Sequence, residues 1–209
     1  MTLEAYDWNV TIVGYWNRAI LTPAGIAQRL LGLEKGTPLL VEVAIDGIGP
    51  IRVKHDNLTI VPEAGRLVIM SDVATLANFD RAKNVGVKAI ESLPETPFSA
   101  AGFNIRVKID EIPDQILSAL QAKIDDRLSD ANLTIEKRSL TRTVKWREGV
   151  LNLTIHLEKE LRVELNFHRQ STVKEELIAW LMSPICDVRK TVTTIFDNVI
   201  QISLGELGI

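Results

Sequence analysis

Apolar positions recur along this chain on two different periods, and the switches between them divide it into elements. In the first half, Val10, Ile12 and the aromatic residues around them predict a strand. Thr22 followed by Pro23 predicts a helix start, with the helix running to Leu31 and closed by Gly32 and Gly36. Leu39 to Ile45, Ile51 to Val61 and Arg66 to Met70 predict three strands. The separators Gly47-Ile48-Gly49-Pro50 and Pro62-Glu63-Ala64-Gly65 are short enough for antiparallel hairpins. From Val73 to Leu93 the period becomes helical, with Leu76, Phe79, Ala82, Gly86 and Ile90 on one face, although Gly86 weakens the helix locally.

The second half follows the same order. Phe103 to Ile109 predicts a strand, and Pro113 to Leu128 a helix with Ile116, Leu117, Leu120, Ile124 and Leu128 inward. Strands are expected over Leu133 to Trp146, Val150 to Leu157 and Leu161 to Phe167, with a turn at Glu148-Gly149. Thr172, three residues before Glu175, has the spacing of a capping box and predicts a helix carrying Leu177, Trp180 and Leu181. Ser183-Pro184 breaks it, and Ile185 to Asn198 presents Val188, Val192, Ile195 and Val199 on a further helix.

The parallel order is accompanied by a match at a constant offset of 95 residues. Trp8-Asn9-Val10-Thr11-Ile12 aligns with Phe103-Asn104-Ile105-Arg106-Val107, and Asn57-Leu58-Thr59-Ile60 aligns with Asn152-Leu153-Thr154-Ile155. The fold class expected is α+β, a duplicated β-α-β-β-β-α unit with antiparallel sheets covered by helices. The halves span 1–93 and 99–209, joined by a proline-containing connector at 94–98 too short to let them wander, so they pack as one unit. Two sheets joined edge to edge, or two facing each other, satisfy the pattern equally. This element order resembles the duplicated saddle of the TATA-binding-protein-like folds. The segment Ser92-Leu93-Pro94-Glu95-Thr96-Pro97, followed by Ala100-Ala101-Gly102-Phe103-Asn104, is similar to a motif of a sporadically distributed family of uncharacterised bacterial proteins. That second resemblance implies a bacterial source and supplies no catalytic residue.

Composition narrows the function classes. With 209 residues, 46% apolar and 24% charged, the chain is long enough for a sizeable core. A net charge of -3 gives no whole-chain attraction to nucleic acid or anionic lipid. The N-terminal residues lack a basic region followed by an apolar run, no stretch is apolar enough to span a membrane, and Cys186 stands alone, so a cytoplasmic location is expected.

Candidate chemistry is sparse. His55, His156 and His168 fall on predicted strands without a compact ligand motif and are expected to be sheet-surface residues. Cys186 precedes Asp187 and is expected to be a buried or half-buried structural thiol. Neither Gly47-Ile48-Gly49-Pro50 nor Gly205-Glu206-Leu207-Gly208 stands between a strand and a helix as a phosphate loop does, and Asp125-Asp126 and Glu175-Glu176 belong on solvated helix faces. The densest charge run is Lys137, Arg138, Arg142, Lys145 and Arg147, with Trp146 inside it. Strand alternation divides that run between two faces, and cross-strand ion pairing is its expected role.

A non-enzymatic protein-binding or assembly module is therefore the expected function, with a homo-oligomer or a second protein as partner and no cofactor or metal. Contacts are expected from Trp16, Arg18, Arg138, Arg142 and Trp146. Ile200, Ile202 and Leu204 join them because they alternate with polar residues like an edge strand open to pairing. The alternatives are a small-ligand pocket between sheet and helices, with Trp16 or Trp146 at its mouth, and nucleic-acid binding through residues 137–147.

Overall fold

A computed structural model describes residues 2–45 and 48–203 of the chain. Among them nine strands form one antiparallel sheet: β1 (Leu3–Gly14), β2 (Leu40–Glu42), β3 (Arg52–His55), β4 (Leu58–Pro62), β5 (Arg66–Ser71), β6 (Phe98–Ile109), β7 (Arg138–Trp146), β8 (Gly149–Leu157) and β9 (Leu161–Gln170). Their order across the sheet is β2-β3-β4-β5-β1-β6-β9-β8-β7. Of the two arrangements the sequence allows, the chain adopts edge-to-edge joining. β1 and β6 pair at the centre, with one half of the chain on each flank.

Six helices accompany the sheet: α1 (Pro23–Gly25), continued by a π-helical turn over Ile26–Leu30, α2 (Leu76–Ser92), α3 (Asp114–Leu120), α4 (Lys123–Asp130), α5 (Lys174–Leu181) and α6 (Ile185–Thr194), which runs into a π-helical turn over Ile195–Ile200. α2 packs over β1 and β5, and α5 over β6 and β9. Gly86 explains the fit of α2. A Cβ there would stand 3.3 Å from Val10, Ile12 and Leu181, so the glycine that weakens the helix also lets it approach the sheet. Trp8, Val10 and Ile12 of β1, and Phe103, Ile105 and Val107 of β6, are buried beneath the helices.

The first half holds one strand more than the sequence pattern suggests. The stretch expected as a single strand over Ile51 to Val61 folds into β3 and β4, because Asp56 and Asn57 both take positive φ and close a two-residue hairpin in which His55 pairs with Leu58. Asp and Asn are the residues best suited to that backbone after glycine. The turn after β7 is Arg147-Glu148, with Gly149 already paired to Trp146.

Thr22 caps α1 through its hydroxyl, with Pro23 at the first turn, as the sequence predicts. The expected capping box at Thr172 does not form. α5 starts two residues later, with Val173 at its N-cap, and the hydroxyl of Ser171 receives the Val173 amide instead. The helix expected over Pro113 to Leu128 is divided by extended backbone at Gln121 and Ala122. Ile116 and Leu120 are buried, Ile124 is exposed, and α4 is tied to β7 by the pair Arg138–Asp125. Asp125 thus leaves the solvated helix face expected for it. Strand β7 begins only at Arg138, five residues after the expected start.

Candidate functional site

Helices cover one face of the sheet, while the other presents mostly polar side chains. Register fixes which residues form each row across it. One row runs Thr59, Met70, Asn9, Asn104, Asn166, Asn152 and Thr143, from β4 to β7. The row beside it carries Val61, Val68, Thr11, Gly102, His168 and Val150. The first row contains no charge over these seven strands, and the second carries His168 and, where it reaches β7 opposite Val150, Lys145. Charged groups stand to either side: Glu63 with Arg66 along one border, and Arg106, Glu164, Lys108 and Arg162 along the other.

A continuous hydrogen-bond chain runs along the uncharged row. The Thr143 hydroxyl donates to Asn152 Oδ1 at 2.7 Å, Asn152 Nδ2 to Asn166 Oδ1 at 2.9 Å, and Asn166 Nδ2 to Asn104 Oδ1 at 2.7 Å. Asn104 Nδ2 then donates to Asn9 Oδ1 at 2.8 Å, and Asn9 Nδ2 to Asp7 Oδ1 at 2.9 Å. Every link donates in the same direction and the last acceptor is a carboxylate, an order in which each bond polarises the next. Asp7 reaches this position through a β-bulge. The register shifts between Tyr6 and Asn9, and Asp7 adopts φ of 46°, turning its side chain onto the open face to receive Arg106 as well.

A trough of about 450 Å³ lies along this band, bordered by Asp7, Arg52, Arg66 and His168 among others. Gly102 lies in its lining, and a Cβ there would stand 2.8 Å from the Phe167 carbonyl oxygen. Amide inventory leaves one N–H and one oxygen lone pair free on each of Asn104, Asn152 and Asn166. Tyr6 stands beside Arg106, and burial, reinforced by the negative charge of Glu164, raises its pKa. Replacing Asn104 with leucine removes the donor to Asn9 and the acceptor of Asn166. Urea denaturation is expected to show a loss of about 1–3 kcal/mol, from two polar groups deprived of partners. A loss below about 0.5 kcal/mol would mean that the chain is not coupled to sheet stability.

The residues expected to make contacts are placed differently from one another. Trp16 is 4% exposed, packs edge-on against Phe98 and donates its indole N–H to the Ile12 carbonyl at 3.1 Å, so it belongs to the core. Trp146 is half-buried among Phe103, Phe167 and Trp180, and its N–H reaches the Thr191 hydroxyl at 3.0 Å. Arg18 is exposed in the turn after Trp16. Arg138 pairs with Asp125 at 2.7 Å and Arg142 is exposed on β7. Lys137 pairs across the sheet with Glu158 at 2.9 Å, and Arg147 with Asp187 of α6.

Among the described residues, the edge strand expected at the C-terminus is not formed. Ile200 ends the last π-helical turn, Gln201 turns the chain in a left-handed conformation, and Ile202 folds back so that its amide donates to the Phe196 carbonyl. Both isoleucines are buried in their own chain, so their alternation with polar residues marks a helix end. Leu204 and the Gly205-Glu206-Leu207-Gly208 segment lie outside the described residues. Cys186, expected to be at least half-buried, is exposed in the first turn of α6.

His55 contacts Asp56 at 3.4 Å, His156 shares a 2.8 Å hydrogen bond with Ser139, and His168 borders the trough. Among the described residues no group of three or more His, Cys, Asp or Glu is placed to hold a metal ion, and no helix is long and apolar enough to cross a membrane.

Sequence reasoning missed the asparagine chain. Its signal was present in the repeat, since the offset of 95 aligns Asn9 with Asn104. Which strands would lie side by side was absent from it. Compared with known proteins, the chain matches no protein-family model and no curated protein.

Proposed function

We propose that the protein is a non-enzymatic protein-binding module and that a polypeptide partner seats on the open face of the sheet. The observation that carries this reading is the uncharged row running over seven strands, with charged groups along its borders. Protein interfaces share that layout, with charge depleted at the centre and polar groups at the rim. Size agrees. Nine strands at about 4.8 Å spacing span roughly 38 Å, and about seven residues per strand at 3.3 Å run roughly 23 Å, so the face offers on the order of 900 Å². One partner contributes about 800 Å² to an interface of standard size.

The same reading treats the halves as copies of one unit. In support, Asn9 and Asn104 meet in register at the centre, and the two matched Asn-Leu-Thr-Ile segments lie where β4 and β8 flank β5 and β9. Duplication from a single-sheet ancestor accounts for a face whose two flanks have similar chemistry.

Native mass spectrometry of the protein purified gently from its source cells tests the proposal. A second polypeptide is expected in the complex. Val68→Glu and Val150→Glu, each placing a charge in the band at a half-buried position, are expected to release it while leaving the melting temperature within about 2 °C. Retention of the partner by both variants would refute the open-face assignment. Smaller added mass would favour the second reading, a polar small molecule in the trough, which the free valences of Asn104 and Asn166 support.

A further inference from the structure

We propose that β7 is a docking edge for an acidic extended segment of another protein, which joins the sheet as a tenth strand. Thr143 of this strand ends the open-face row, but the inference uses the outward backbone of β7 and the side chains on its helix-covered face, so it does not depend on the reading above.

β7 is nine residues long and, among the described residues, pairs only with β8. At the opposite end of the sheet the exposed edge is β2, three residues long, and it covers β3. Among the described residues, then, β3 has a strand outside it and β7 has none. A long uncovered edge presents a row of backbone N–H and C=O groups that another extended chain can satisfy.

Charge selects the chain that fits. Lys137, Arg138 and Arg147 are each matched by a carboxylate of their own protein. Arg142 reaches only the Thr141 carbonyl, at 2.8 Å, and Lys145 is exposed, so these two cations of β7 have no carboxylate partner among the described residues. A blunt antiparallel pairing with a second copy would put Arg142 directly opposite Arg142 and Lys137 opposite Arg147. Like charges facing across a ladder are unfavourable, which disfavours self-assembly through this edge. An acidic strand meets the same groups with the opposite sign.

Side-chain alternation makes the expected segment more specific. Leu140, Arg142 and Val144 point to the helix-covered face, as their pairing with Ile155, Leu153 and Leu151 shows. Leu140 is half-buried and Val144 is 48% exposed, so apolar surface lies on both sides of Arg142. The complementary strand carries an apolar residue, then an acidic one, then an apolar one at alternate positions. Because that order is symmetric, it fits in either direction.

Two capped peptides, TVTETVT and TVTKTVT, test this on the full chain by amide chemical shifts. The glutamate peptide is expected to shift and protect amides of Ser139 to Lys145, and to bind about fivefold or more tightly than the lysine peptide at low salt. Arg142→Glu, at an exposed position, is expected to reverse that order. Equal binding of the two peptides, shifts confined to the open face, or no response of β7 at millimolar peptide would each overturn the proposal.

Discussion

Phe103→Ala is expected to lower the stability of the protein by about 3–5 kcal/mol, the upper range for a truncated core aromatic. Phe103 is fully buried on β6, at the centre of the sheet. Its ring stacks on Phe167 at 4.8 Å and on Trp180 at 5.9 Å, and meets Phe79 and Trp146 edge-on at 5.9 and 6.0 Å. Those partners come from β9, α5, α2 and β7. One ring thus contacts both helices that cross the sheet and two strands of the second half. Such rings gain from quadrupole alignment beyond the area they bury. The cavity has little prospect of closing, because its walls belong to elements already fixed against each other.

Urea denaturation should report the loss, and the midpoint of thermal unfolding should fall by roughly 6–20 °C for a chain of this size. Phe103→Leu should cost visibly less. A loss under about 1 kcal/mol for the alanine variant would mean that the aromatic cluster does not hold the halves together.

The second large effect concerns Lys83. Its side chain is 2% exposed on α2, beneath the junction of α5 and α6. The ammonium donates to the Ser183 carbonyl, lies 3.5 Å from Asp80 and 5.8 Å from the centre of the Phe103 ring. Burial lowers its pKa, opposed by Asp80 and assisted by the positive charge of Arg147, with Cys186 also close enough to act on it.

The sign of the consequence follows from proton counting. Between the lowered native pKa and the unfolded value near 10.5, the unfolded chain binds more protons than the native one, so stability contributed by this group rises with pH. Below the native pKa the amine is charged in both states and the cost of burying it is present in full. Measured against Lys83→Met, both in a Cys186→Ser background, the wild-type lysine should become progressively more favourable as the pH rises through its lowered native pKa toward the unfolded value near 10.5. A pH-independent difference would show that Lys83 titrates as in the unfolded chain. A difference of opposite slope would show that Asp80 outweighs burial.

Much of the architecture is legible in the chain because it follows from local chemistry. Period two marks β1, β5, β6, β8 and β9, period 3.6 marks α2, and Thr22-Pro23 marks the start of α1. The open face is partly legible, since polar residues alternate with core residues along β8 and β9. The hairpin at Asp56-Asn57 was readable in principle from its two residues, but strand-like sequence on both sides of it reads as one continuous strand. Ile200 and Ile202 mislead for a different reason. A helix that ends and folds back places alternate apolar residues inward much as a strand does.

The candidate site depended on information that no local pattern carries. Asn9, Asn104, Asn152 and Asn166 lie on four strands, with hydrogen-bonded neighbours up to 95 residues apart in the chain, and only the sheet order brings them together. Likewise, the sequence of β7 shows its basic residues, and the fold decides which of them are answered by carboxylates of the described residues and which are not.

By itself, then, the sequence determined the element types and the inward face of most strands, because periodicity acts through neighbours a few residues apart. Tertiary structure alone decided that the halves share one sheet, that Asp7 turns onto its open face, and that, among the described residues, β7 has no strand on its outer side. Each of those depends on pairing between distant backbone segments, where the free energy of register and packing is set by the partner strand.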